Sequence, residues 1–148
     1  MSSHVSDTDI ASIDRYNGEL RVTADLDDAR PFDVVRAVSV FRDAGLYDIE
    51  ARVSSSGEGF HVRAWGPAEM SDRAVERLRR TAGDHAARID WDATHATKPT
   101  QILFSRKPGG EAGPWRSDPW DAVDDLLRRS QRHDSGDPRP YRVTGWFE

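Results

Sequence analysis

The stretch YDIEARVSSSGEGFHVRAW, residues 47–65, decides the fold. Apolar and polar side chains alternate on both sides of a serine- and glycine-rich segment, SSSGEG, at residues 54–59. Two alternating runs around a short glycine-containing loop predict a β-hairpin. The face opposite the apolar side chains of the second run then carries His61, Arg63 and Trp65.

The sequence before the hairpin predicts a strand and a helix. ELRVTADLD, residues 19–27, alternates in the same way and places Asp25 and Asp27 on its polar face. Arg52 of the hairpin belongs to the same polar side. Residues 31–44 have apolar side chains at helical spacing, and Pro31 suits a first helical turn.

The sequence after the hairpin predicts the remaining elements. Ser71 as an N-cap and Gly83 as a stop indicate a second helix, and residues 117–131 indicate a third. We expect a short strand at 87–91 and a stronger one at 99–107. The order β-α-β-β-α-β predicts an α+β domain with a ferredoxin-like, RRM-like core and an extra C-terminal helix and tail. One sheet face would pack under helices and the other would stay open.

Composition limits the class of protein. The 148 residues suit one domain, which we place at 18–131, between a flexible acidic arm at 1–17 and a linker and tail at 132–148. The chain has no cysteine, which excludes disulfides and cysteine zinc sites. A polar start and the lack of a long apolar run predict a cytoplasmic protein with no membrane span.

The charges are unusual in kind. Most of the 26 acidic residues are aspartate, and 19 of the 21 basic residues are arginine, since the only lysines are Lys98 and Lys107. We expect this composition of a halophilic protein. The net charge of −5 argues against avid non-specific binding to nucleic acid but allows a local basic site.

Asp25 and Asp27 form the first candidate site. Two carboxylates at i and i+2 on a strand lie about 6.5–7 Å apart, which lets both engage one divalent ion or a pair of ions. Magnesium needs few protein ligands because it keeps water and substrate phosphates in its shell. Asp90 is a possible third carboxylate. These acids can equally be solvated surface charge, and His61 can equally be structural.

Taken in order, VTADLDD, SSSGEGFHV and RID resemble the three signature motifs of the archaeo-eukaryotic primase (primase-polymerase) superfamily. In that family the motifs are a strand ending in Asp-x-Asp, a small residue two positions before a strand histidine, and an apolar residue followed by an acid. The family's core has the same βαββαβ order. KPTQILFSRK, residues 98–107, occupies the place of a basic strand that members often carry after the third motif.

The resemblance implies a nucleotidyltransferase, a possible DNA primase, acting in DNA replication on nucleotides and single-stranded DNA or RNA. Mg²⁺ or Mn²⁺ would be bound by the three aspartates, with a replication protein as a possible partner. The residues that the resemblance assigns to the site are Asp25, Asp27 and Asp90 for metal and catalysis, His61 for catalysis and nucleotide phosphate, and Arg63, Arg106 and Lys107 for phosphate or template.

The chain also departs from the family. Gly59 stands where serine is often found, and the zinc element and larger helical additions are absent from the sequence. Two other functions are therefore open. One is a non-catalytic module that binds single-stranded nucleic acid through Arg52, Arg63 and Trp65. The other is a structural or regulatory protein with an acidic surface.

Overall fold

The structure, a computed structural model, describes residues 19–95, 101, 103–108 and 110–133 and has an α+β fold. The expected arm at 1–17 and the tail beyond residue 133 lie outside the described residues. In chain order the elements are β1 (Glu19–Leu26), α1 (Pro31–Asp43), β2 (Tyr47–Val53), β3 (Phe60–Pro67), α2 (Asp72–Ala82), α3 (Ala86–His95), β4 (Arg106–Lys107), β5 (Gly110–Glu111) and α4 (Pro119–His133).

A three-stranded antiparallel sheet in the order β1-β3-β2 forms the centre of the molecule. The hairpin of β2 and β3 is confirmed, and β3 lies between the other two strands. β4 and β5 form a separate two-stranded hairpin. No helix in the described part of the chain is long and apolar enough to cross a membrane.

The hydrophobic core lies on one face of this sheet. The alternation of apolar side chains along the strands is confirmed, because those side chains are buried together with α1, α2 and α4. A large apolar side chain such as Phe60 or Phe41, each 0% exposed, contributes about 1.5–3 kcal/mol by burial. The strand side chains of this core are Leu20, Val22, Ala24, Leu26, Ala51, Val53, Phe60, Val62 and Ala64.

The caps expected for α2 are confirmed. The Ser71 hydroxyl accepts a hydrogen bond from the Ala74 backbone N–H (3.1 Å), as an N-cap does. Gly83 ends the helix in the left-handed conformation (φ 94°), which glycine adopts without steric cost. Both signals act within one helical turn, and this is why the sequence alone predicts them.

Within the described residues, side chains bind the backbone at the outer edge of β1. The side-chain amide of Gln101 accepts from the Thr23 backbone N–H (2.8 Å) and donates to the Arg21 carbonyl (3.0 Å). Two positions after Thr23 on the same strand, the backbone N–H of Asp25 donates to the Asp84 carboxylate (2.9 Å). Gln101 is fully buried and has a left-handed backbone (φ 48°), which is uncommon for a residue with a long side chain.

The described residues 101, 103–108 and 110–116, which we name the crossing segment, include contacts at this edge and at the opposite one. At the outer edge of β2, Arg116 forms a two-bond bridge with Ala51 (2.9 and 2.7 Å). Gly113 donates its N–H to the Val53 carbonyl (2.9 Å). The crossing segment therefore holds both edges of the sheet, with its Trp115 on the polar face.

Two expected strands are corrected. Residues 87–91 lie in helix α3, where Ile89 and Asp92 are buried three positions apart, the spacing of one helical face. An alternating window of five residues cannot distinguish a strand from one turn of such a helix. Of the strand expected at 99–107, only Arg106–Lys107 is strand among the described residues, and it pairs with β5 rather than with β1.

A buried ion-pair network connects α2, α3 and β1. Arg79 Nε lies 2.6 Å from one oxygen of Asp84, and its Nη1 lies 2.9 Å from Asp92. Arg88 donates to the same Asp84 oxygen (2.7 Å) and to the Thr23 hydroxyl (2.6 Å). Breaking such a pair leaves an uncompensated buried charge, which typically costs about 3–5 kcal/mol.

Candidate functional site

Three polar side chains form a row across the sheet on the face opposite the core. Asp25 of β1 is the register partner of His61 of β3, and His61 is the register partner of Arg52 of β2. Period-two alternation puts all three on the polar face. The structure thus brings Asp25 and His61 together as the alternation predicts.

The polar face is not open as expected. His61 and Arg52 are only 3% and 4% exposed. The ring of Trp115 lies 4.3 Å from the guanidinium carbon of Arg52 and 4.0 Å from that of Arg63, at cation–π distance. Access to the row is therefore limited to the part nearest Asp25, whose side chain is 22% exposed.

His61 is a neutral, hydrogen-bonded imidazole. Its Nδ1 accepts from Arg52 Nε (3.0 Å), and its Nε2 lies 3.7 Å from Asp25 Oδ1. Burial, together with the positive charge of Arg52 and other basic groups, holds the pKa of His61 well below its usual range.

Asp25 has the opposite shift. Burial and the negative charge of Asp27 raise the pKa of the Asp25 carboxyl to about 6. Its Oδ1 is buried and accepts no hydrogen bond from the described residues. The charges of Arg88 and Lys107 offset only part of this effect. The ionised carboxylate is therefore short of positive partners, and a bound cation would stabilise it.

The other two aspartates differ in their positions. Asp27 follows β1 in an exposed turn, and its Oδ2 lies 3.5 Å from His85 Nε2. Asp90 lies on α3, is 66% exposed and accepts a hydrogen bond from Arg80 of α2 (2.7 Å). The structure thus places Asp27 within electrostatic reach of Asp25, whereas Asp90 engages α2.

The three basic candidates, Arg63, Arg106 and Lys107, also lie in different surroundings. Arg63 is held by two hydrogen bonds to Glu50 (3.0 and 2.7 Å), and Arg106 pairs with Glu111 (3.0 Å) at the exposed β4–β5 hairpin. Lys107 is exposed, and its charge lowers the pKa of both Asp25 and His61. Of these three, Lys107 is the one whose charge acts on the central pair.

Sequence reasoning missed the contribution of the crossing segment and of the α2–α3 junction. Gln101 contacts Thr23 across 78 positions, and Trp115 stacks on a hairpin more than 50 positions earlier. Asp84 follows the glycine stop of α2 and gives no local sign that it will bind the β1 backbone. No signal in the sequence identifies these contacts.

The donor set for a metal ion is small. Within residues 19–95, 101, 103–108 and 110–133, no group of three or more His, Asp or Glu side chains is arranged to hold a metal ion. Asp25 and Asp27 are the two carboxylates that could hold an ion which takes most of its ligands from water and phosphate, as Mg²⁺ does.

Comparison with models of protein families, with curated proteins and with solved structures gave no match for this chain.

The shifted pKa of Asp25 predicts how stability depends on pH in the absence of metal. Its value in the folded protein lies above the ordinary 3.8, so the folded state binds this proton more tightly than the unfolded chain. The free energy of unfolding should therefore fall as pH rises from about 4 through about 6, by on the order of 2 kcal/mol. Asp25→Asn lacks this loss and should be the more stable protein at pH 8.

Urea denaturation of both proteins between about pH 4 and pH 8 measures this difference. His61 has the opposite dependence, since its lowered pKa makes acid destabilising, but it is present in both proteins. Asp28→Asn removes an exposed neighbouring acid and serves as the control. Parallel pH profiles for the wild type and Asp25→Asn would show that the Asp25 carboxyl is not perturbed by folding.

Proposed function

We propose that this chain is a primase-polymerase-like nucleotidyltransferase domain acting in DNA replication, with a nucleotide site at the Asp25 end of the polar sheet face. One observation carries the proposal: Asp25 lies directly opposite His61 on adjacent strands, with a buried oxygen that accepts no hydrogen bond from the described residues. This is where the resemblance places an acid for metal and a histidine for phosphate. A cytoplasmic location and a replication partner belong to the same proposal.

The topology of the three-stranded sheet and of helices α1 and α2 supports the proposal. The strand order β1-β3-β2, with α1 between β1 and β2 and α2 after β3, agrees with the first five elements of a ferredoxin-like βαββαβ core. Among the described residues, Gln101 and Asp84 bind the backbone of β1 at the edge where such a core has its fourth strand. On this proposal the fold is a ferredoxin-like core.

Each residue at the Asp25 end of the polar face has its own role in this proposal. Asp25 and Asp27 would hold Mg²⁺ or Mn²⁺, which when bound would activate the attacking hydroxyl and stabilise the charge on the nucleotide phosphates. His61 is neutral and would donate a hydrogen bond to a phosphate oxygen. Lys107, whose charge already acts on this pair, would attract the triphosphate. Asp90, engaged with Arg80, has no part in this assignment.

Calorimetric titration with Mn²⁺ tests the metal site. We expect the wild type to bind Mn²⁺ and the double variant Asp25→Asn, Asp27→Asn to lose this binding. The double variant Asp28→Asn, Asp90→Asn removes the same number of charges from exposed positions and should bind as the wild type does. The wild type should also bind Mn²⁺ more weakly at pH values below about 6, because the ion then competes with the proton on Asp25. Equal Mn²⁺ binding by all three proteins would show that Asp25 and Asp27 form no metal site.

Nucleotide incorporation on a single-stranded template, with Mg²⁺ or Mn²⁺ at high salt, tests the activity. Incorporation that is lost in the Asp25→Asn, Asp27→Asn variant would support a nucleotidyltransferase. Binding of nucleotide and single strand without incorporation would instead support the non-catalytic binding module. Binding of neither would contradict the proposal.

A further inference from the structure

The hydrogen bond between Arg52 and His61 fixes which ring nitrogen carries the proton. A guanidinium group has only N–H donors and no acceptor. The 3.0 Å contact from Arg52 Nε therefore requires a lone pair on His61 Nδ1. In a neutral imidazole the proton must then be on Nε2. That nitrogen is the one nearest to Asp25, at 3.7 Å from its Oδ1, which is beyond hydrogen-bond distance.

Arg52 is itself held in place from two sides. It is directly opposite His61 in the β2–β3 register, which sets the distance between the two side chains. The ring of Trp115 stacks on its guanidinium at 4.3 Å, and the side chain is 4% exposed. A buried arginine that is stacked and aligned in this way loses little further freedom when it bonds the imidazole.

We infer that Arg52 is a positioning residue that locks His61 in the Nε2–H form, so that the imidazole presents a hydrogen-bond donor to a phosphate oxygen beside Asp25. The lock follows from the contacts of Arg52 alone. Only the identification of the acceptor as a nucleotide phosphate rests on the proposed function. Without the hydrogen bond from Arg52, His61 would populate both neutral forms. Part of the time its Nε2 would then face the phosphate with a lone pair, and a lone pair repels an anion.

The protonated nitrogen can be read directly from the full-length wild type. Long-range ¹H–¹⁵N correlation spectra of protein labelled with ¹⁵N-histidine distinguish the two neutral forms of each of the 5 histidines. The His61 signals are assigned as those missing from His61→Gln. We expect the Nε2–H form in the wild type. A wild-type His61 with its proton on Nδ1, or averaged between the two nitrogens, would overturn the inference whether or not nucleotide binds.

Substitutions of Arg52 and Arg63, the two arginines stacked on Trp115, test whether Arg52 determines which nitrogen of His61 is protonated. Arg52→Met should release His61 to a mixture of forms, whereas Arg52→Lys keeps a donor-only side chain and should restore the Nε2–H form at least in part. Arg63→Met is the matched control: it removes the other arginine stacked on Trp115, which bonds Glu50 and not His61, and should leave the His61 form unchanged. An unchanged His61 spectrum in folded Arg52→Met would also overturn the inference.

Titration with dATP and Mn²⁺ then separates the inference from the proposed function. We expect Arg52→Met to bind dATP about tenfold more weakly than the wild type, the effect of one lost hydrogen bond to an anion. Equal dATP affinity of the two proteins would overturn the role of Arg52 in positioning. A wild type that shows the Nε2–H form but binds no dATP would contradict the proposed function and leave the lock in place.

Discussion

Gly59→Ala should be one of the most destabilised variants of this protein, with a loss of about 2–4 kcal/mol in the free energy of unfolding and of about 5–15 °C in Tm. A β-carbon at position 59 would lie 1.9 Å from the backbone carbonyl oxygen of Leu26, far inside van der Waals contact. A backbone atom of a paired strand cannot move aside as a flexible side chain can. Leu26 also pairs with Phe60, so the collision would separate β1 from β3 beside the Asp25–His61 pair.

Gly45→Ala provides the matched control. Gly45 has a left-handed backbone (φ 87°), and no atom lies within 4 Å of an added β-carbon. Its substitution should cost only the backbone strain, about 1 kcal/mol. Thermal and urea denaturation of both variants would test the comparison. A Gly59→Ala protein no less stable than Gly45→Ala would show that β1 and β3 are further apart than the structure has them. The same collision disfavours every residue other than glycine at this position.

Gln101→Leu should lose about 2–4 kcal/mol, although the new side chain has a similar size and greater hydrophobicity. The substitution leaves the Thr23 N–H and the Arg21 carbonyl without their partner at the edge of β1. Buried backbone groups that lose a hydrogen bond cost more than the bond itself contributes, because they have also lost water.

Gln101→Glu separates the two hydrogen bonds. A glutamate keeps the oxygen that accepts from Thr23, but when ionised it cannot donate to the Arg21 carbonyl. We expect it to be unstable at neutral pH and to recover in acid, where the protonated carboxyl donates again. Hydrogen exchange at the Thr23 amide gives a local measurement and should accelerate in Gln101→Leu. Normal stability and slow Thr23 exchange in that variant would contradict the role given to Gln101.

The elements that the sequence predicts correctly are those set by neighbours along the chain. The β2–β3 hairpin follows from alternation around a glycine-rich turn, and α2 follows from Ser71 and Gly83. The same alternation places Asp25 and His61 on one face, because side-chain direction in a strand depends only on parity. These inferences need no knowledge of tertiary contacts.

The features that the sequence does not reveal depend on contacts between distant residues. Trp115 stacks on Arg52 of the polar face, and no local pattern encodes this contact. The side chain that binds the edge of β1 comes from Gln101, which lies 78 positions from Thr23. The five-residue window around Asp90 fits either period, so the sequence predicts a strand where the structure has helix α3.

Dissolved ions act unevenly on the charges of this protein. At about 1 M salt the Debye length is about 3 Å, so exposed pairs such as Arg106–Glu111, 60% and 67% exposed, lose most of their attraction. The side chains of Arg79 and Asp84 are 2% and 0% exposed, and counterions cannot come between them. In concentrated brine, the electrostatic connection between α2, α3 and β1 therefore keeps its strength while the surface pairs do not.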